Sequence, residues 1–200
     1  MINKYTTIQL DKLVDIRSGH AFRSKLEHTP LEWNYTVLQL KDVQKDGAIN
    51  LNQATQLKIS GEKAPQPLRI GDILLRARGG YYYSGLFTAE APNVIAAGPF
   101  FILTPDTDKT DPAYLCWFLN QQGAQQYFNR NDSGSNIAMI SKQTISELPV
   151  TLPSLATQHK IAKVHQSWLK EKKVSEQLIS NREKMVRGLC QHYINLDFKH

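Results

Sequence analysis

Between Pro153 and Gly188 the chain runs without a proline or a glycine. Proline cannot sit inside a helix but can precede one, and Ser154 or Thr157 supplies an oxygen to cap the first free N–H groups. Beyond them Ile161, Val164, Trp168, Leu178, Met185 and Leu189 recur at spacings built from threes, fours and sevens. That is the seam of a long amphipathic helix, in which Glu171, Ser175 and Arg182 weaken a coiled-coil register. About 34 residues at 1.5 Å each make a rod of roughly 50 Å. A 200-residue chain seldom needs such a helix for its own core, so a partner helix is expected. The other reading is a straight helix packed along its own domain.

The remaining sequence is that of a folded, soluble domain. It is 41% hydrophobic with nine prolines, enough for a sizeable core. No run of eighteen apolar residues is present, so no membrane span or membrane partner is expected. The N-terminus, Met1 to Thr7, lacks the apolar stretch of a signal peptide. Cys116 and Cys190 are the only cysteines and lack metal-ligand spacing, which points to reduced thiols and a cytoplasmic location.

The net charge of +6 is unevenly spread. Thr157 to Cys190 holds eight Lys/Arg against three Glu, and the remainder is close to neutral. A basic helix can face nucleic acid, an acidic partner or only water.

Read in order, Leu10, Leu13, Val14 and Ile16 suit a short helix running into a turn at Gly19. Trp33, Tyr35 and Val37 alternate as in a strand. Asp46-Gly47 is a turn signal. Leu68-Arg-Ile-Gly-Asp turns at Gly71 into a strand from Ile73 to Ala77, and Tyr81–Thr88 and Asn93–Leu103 read as further strands. Asp111-Pro112 opens a helix, Gly123 to Phe128 extends helical structure, and Val150 to Leu152 make a last strand. The expected fold class is α+β: a curved, mainly antiparallel sheet with short helices over residues 1–152, followed by a long helix and tail over residues 153–200.

The order Leu10-Asp-Lys-Leu-Val-Asp-Ile-Arg-Ser-Gly-His-Ala-Phe, Leu68-Arg-Ile-Gly-Asp-Ile-Leu-Leu, Ile140 to Leu148 and Val150-Thr-Leu-Pro-Ser-Leu-Ala-Thr-Gln-His-Lys-Ile-Ala resembles the DNA-specificity subunit of type I restriction–modification systems. Gln158, Ile161 and Ala162 fall where that family carries a Gln and an Ile-Ala pair on the first turns of its conserved helix. Thr157 stands where a Glu is common. The resemblance implies a target recognition domain followed by a coiled-coil helix. Usual subunits carry two such pairs, whose helices pack antiparallel; this chain has one. The expected partner helix is therefore that of a second copy, in a two-fold homodimer sealed by Ile161, Val164, Trp168, Leu178, Met185 and Leu189.

Three clusters suit double-stranded DNA. Arg76 and Arg78 alternate beside Gly79-Gly80 and Tyr81-Tyr82-Tyr83; arginine pairs with guanine or grips phosphate, and tyrosine packs on sugars or phosphates. By strand alternation Tyr81 and Tyr83 could instead be core, with Tyr82 at the edge. Arg17, His20, Arg23 and Lys25 form a second cluster, for which surface solvation is an equal reading. Arg130, Asn131, Ser133, Ser135, Asn136 and Lys142 form a third around Gly134.

No catalytic constellation emerges. The Asn-Pro-Pro-Tyr/Phe motif of an amino-methyltransferase is missing, as is a glycine-rich cofactor loop, and the six His show no paired metal spacing. The chain is expected to be a non-catalytic specificity subunit with no cofactor of its own. The resemblance implies a DNA adenine methyltransferase subunit, which holds the S-adenosylmethionine, and a restriction subunit as partners, acting at a bipartite target. The alternative is a regulatory module that pairs with a full specificity subunit or methyltransferase without reading DNA.

Overall fold

The computed structural model describes residues 6–22, 32–59, 64–132 and 138–197. They form β1 (Thr6–Gln9), β2 (Val14–Ser18), β3 (Tyr35–Leu38), β4 (Thr55–Leu57), β5 (Ile73–Arg76), β6 (Ser84–Leu86), β7 (Val94–Ala96), β8 (Phe100–Pro105), α1 (Pro112–Leu119), α2 (Gln122–Arg130), α3 (Lys142–Ser146), β9 (Pro149–Leu152) and α4 (Leu155–Asp197). The chain divides into two compact units, residues 1–162 and 163–200.

The first unit is α+β, as expected, with its pairing divided among three sheets. A four-stranded antiparallel sheet in the order β2-β8-β5-β6 lies at its centre. A three-stranded sheet, β4-β3-β7, holds one parallel pair. A two-stranded sheet joins β1 to β9, with Thr6 opposite Leu152.

Side-chain alternation explains how the central sheet is covered on both faces. Ile73, Leu75 and Leu103 join the cluster of Leu115, Leu119, Phe128 and Ile145 from α1, α2 and α3. Their neighbours Leu74, Phe100 and Ile102 face the other way and pack with Leu38, Phe87 and Val94. Beyond that layer, Val37, Leu57 and Ile95 make a smaller cluster. Burial on both faces is why Ile73-Leu74-Leu75 is an unbroken apolar run.

The helix expected over Leu10–Ile16 is corrected. Only Leu10–Lys12 forms a single 3-10 turn, and Val14–Ser18 is a strand paired along β8. The β-branched Val14 and Ile16 fit a pleated surface better than a helix. The strand expected to begin at Tyr81 begins at Ser84.

Helix starts follow the capping chemistry. Asp111 accepts the Tyr114 N–H at 2.8 Å, with Pro112 in the first turn. Ser154 accepts the Thr157 N–H at 3.4 Å, so Ser154 is the cap of α4. Gln158, on the first turn of α4, is 1% exposed. Its Oε1 accepts the Asp111 N–H at 2.9 Å and the Thr110 hydroxyl at 3.2 Å, and its Nε2 donates to the Pro153 carbonyl at 2.9 Å. One buried amide thus fastens the start of α4 to the start of α1, a physical reason for glutamine at this position.

The second unit is the rest of α4. Val164, Trp168, Leu178, Met185 and Leu189 are exposed along it, and so are Val174, Ile179, Val186 and Tyr193. Ile179, Val186 and Tyr193 recur every seven residues and widen the apolar stripe beyond the seam read from sequence. His165 stacks on Trp168, and the Lys172 ammonium lies 5.7 Å from the Trp168 ring. Ile161 belongs to the first unit and is half-buried. Among the described residues no helix is long and apolar enough to cross a membrane.

Candidate nucleic-acid interface

Two arginines, a lysine and two tyrosines gather at the end of β5. Arg76 is its last residue, and the Arg76 N–H donates to the Tyr83 carbonyl at 3.0 Å. Between them Gly79 and Gly80 hold φ values of +96° and +70°, which side-chain-bearing residues rarely adopt. These two glycines reset the side-chain phase of the tyrosines that follow. Tyr81 is exposed, Tyr83 is half-buried and Tyr82 is wholly buried.

Tyr82 is therefore a correction: a ring with no exposure cannot touch DNA. It packs edge-on to Phe128, and its hydroxyl donates to Asp132 at 3.1 Å. Burial, then the hydrogen bond to Asp132, push the hydroxyl up to about 12. It stays protonated and structural.

Tyr81 and Tyr83 stack with centroids 5.8 Å apart and planes 16° from parallel. The Arg76 guanidinium lies 5.8 Å from the Tyr83 centroid, and the Lys45 ammonium lies 5.6 Å from that of Tyr81. Each such contact at an exposed site contributes about 0.5–1 kcal/mol, enough to bias where a long side chain rests. The Arg76 Nε is buried and has no hydrogen-bond partner among the described residues. Arg78 is exposed, and its Nε donates to the Met139 sulfur at 3.3 Å.

Residues that follow the loop of the third sequence cluster meet the first cluster here. Arg78 bridges Met139, the Gly79 N–H donates to Ala138 and the Ile140 N–H to Ala77. Ala138, Met139 and Ile140, ahead of α3, are thereby tied beside the glycine turn. Arg130 ends α2 and Lys142 opens α3, both exposed. Ser133, Ser135 and Asn136 lie outside the described residues.

The other cluster has a different use. Arg17 lies on β2, and its guanidinium donates to Asp72 at 3.0 Å and to the Gln66 and Pro67 carbonyls at 3.2 Å. Asp72 is 1% exposed and also accepts the Thr104 hydroxyl at 2.6 Å and the Arg69 N–H at 3.0 Å. A cleft of about 320 Å³ lies alongside, lined by Gly19, His20, Pro65 and Gln66 among others. Arg23 and Lys25 lie outside the described residues.

The sequence profile of the type I restriction modification DNA specificity domain matches residues 3–180. The chain belongs to this family. Its members are the non-catalytic, DNA-specificity component of type I systems. Compared with curated protein sequences, the chain matches none. Among solved structures it is similar to a chain of a type I R-M system studied for its complex assembly and conformational transition, with a TM-score of 0.65, 16% identity and 94% of this chain covered. It is also similar to the type I S subunit from M. genitalium (TM-score 0.54, 21% identity, 82% covered) and to the HsdS subunit from Thermoanaerobacter tengcongensis (0.57, 16%, 86%). At such identities the likeness is one of fold. The matches span 44%, 39% and 39% of those three chains, so this specificity-family chain spans less than half the length of each.

Within this specificity domain, sequence reasoning missed Lys45. The available signal was Asp46-Gly47. The Gly47 N–H donates to Gln44 and the Gln44 N–H to Ala48, with Gly47 at φ +82°. Lys45 therefore sits at the tip of a tight glycine-closed turn.

Proposed function

We propose that this chain selects the DNA target of a type I restriction–modification assembly. The observation that carries the reading is the family match over residues 3–180, on a fold that brings Arg76, Arg78, Tyr81 and Lys45 to one exposed edge. In this reading the first unit reads DNA, and the chain directs a partner adenine methyltransferase and a restriction subunit to the site. The methyl donor, S-adenosylmethionine, belongs to the methyltransferase. The assembly works in the cytoplasm, where both free thiols stay reduced.

Two copies join through α4 as an antiparallel coiled coil. Support comes from the 43-residue helix with its exposed Val164, Trp168, Leu178, Met185 and Leu189. Two identical reading units imply a symmetric, interrupted target. Light scattering on the eluted protein is expected to give a dimer at micromolar concentration; a monomer overturns the pairing.

The decisive test is a genome-wide adenine methylation map of the source cell with and without this gene. Loss of one symmetric, interrupted motif is expected. An asymmetric motif points to pairing with a different half, and an unchanged map overturns the specificity role.

A further inference from the structure

We infer that Lys45, Tyr81, Tyr83 and Arg76 form one clamp for the phosphodiester backbone of duplex DNA, leaving Arg78 to read a base edge. The inference rests on the DNA-reading role proposed above.

The clamp is assembled by glycine contacts distant in sequence. A Cβ on Gly47 meets the Ser84 carbonyl oxygen at 2.8 Å, and one on Gly85 meets the Gly47 oxygen at 2.9 Å. Only glycine at both places lets the Lys45 turn lie against β6. That close approach carries Lys45 to Tyr81, which stands three residues before β6 begins. Asn120 fixes the same edge: its Oδ1 accepts the Ser84 N–H at 2.9 Å and its Nδ2 donates to the Ser84 carbonyl at 2.8 Å.

The chemistry favours phosphate over base. Each tyrosine ring already has the other ring and one cation for neighbours, which leaves little face for a stacked nucleobase. Among the described residues neither Lys45 nor Arg76 is paired with a carboxylate, whereas Arg17 is. An unpaired cation resting on a ring keeps its N–H groups for an anion, and the phosphate oxygens of DNA are the densest anions available. Arg78 differs, because it is exposed and its Nε is on sulfur, so its two terminal nitrogens form the outer end of the side chain. That end suits the paired acceptors of guanine.

The test is equilibrium binding by the full chain, with whatever subunits co-purify, over a salt series. The probes are a duplex carrying the methylated motif and a random-sequence duplex. Lys45→Ala is expected to weaken both by the same factor and to reduce the slope of log K against log salt by about 0.9. Tyr81→Phe is expected to bind as wild type and Tyr81→Ala to approach Lys45→Ala, since the ring positions the cation and the hydroxyl is not used. An unchanged slope for Lys45→Ala, a loss confined to the motif duplex, or a Tyr81→Phe as weak as Tyr81→Ala overturns the clamp. Wild-type protein that binds both probes equally refutes sequence reading, while a lowered slope for Lys45→Ala still supports the clamp. Wild type that binds neither overturns both.

Discussion

Arg17 and Arg76 leave the same face of the central sheet, because Arg17 opposes Ile102, Ile102 opposes Leu74, and Arg76 follows Leu74 by two. Their surroundings differ completely. Arg17 is held by a buried carboxylate and two carbonyls, so its charge serves the fold. Arg76 is held by a ring, and its Nε has no partner among the described residues. The comparison teaches that a basic residue on a sheet face is available to a ligand only when no carboxylate has claimed it. Charge and sheet face, identical for the two, do not distinguish them.

The largest test removes the carboxylate. Asp72→Ala leaves the Arg17 guanidinium partly buried and unpaired, and is expected to cost about 3–5 kcal/mol of stability, measured by urea unfolding. Arg76→Ala in the same assay is expected to stay within about 1 kcal/mol while DNA binding falls. Equal losses in stability break the comparison. Next, Arg78→Ala is expected to remove about 1–3 kcal/mol of discrimination at one base pair, read as a relaxed position in the selected motif. A motif kept intact places base reading elsewhere.

Tyr82→Phe sharpens the boundary between fold and interface. Losing the bond to Asp132 is expected to cost about 1 kcal/mol with DNA affinity unchanged, as befits a buried ring. The smallest effect concerns Cys116, which lies beneath the clamp edge and whose thiol donates to the Ser84 carbonyl. Burial pushes this thiol up to about 11 from an ordinary 9.0. Below the ordinary value the thiol is neutral in folded and unfolded chain alike. As pH rises from about 9 to 11 only the unfolded chain releases the proton, so stability falls across that window. At neutral pH Cys116 is expected to resist alkylation while the exposed Cys190 reacts. Rapid labelling of Cys116 means that the β6 edge opens and is no fixed platform.

Much of this was legible in sequence for local reasons. The proline- and glycine-free run specified α4, Asp111-Pro112 specified the start of α1, and Gly71-Asp72 specified the turn into β5, where the Asp72 N–H donates to Arg69. What stayed hidden depends on neighbours far along the chain. Alternation places Tyr82 outside, but two successive positive-φ glycines shift the phase and bury it. Arg17 looks like any surface arginine until Asp72 is brought to it across 55 positions. Lys45 looks isolated until the Gly47–Gly85 contact carries it to Tyr81. Gln158 fits the family pattern by position, and its reason, a buried amide bridging two helix starts, lies in residues 47 and 48 positions away.

The pairing of β1 with β9 places Thr6 opposite Leu152, so the path into the first unit and the path out of it run as adjacent antiparallel strands. A unit tied off in this way can be copied or exchanged between genes with little disturbance to its interior, since both joints fall at one place on its surface. A single crossover near Leu152 exchanges the strands and short helices before it, and with them every residue proposed above to touch DNA, and retains α4. If the first unit reads DNA as proposed above, a cell whose invaders change their sequences obtains a new target in one genetic event, with α4 inherited unchanged.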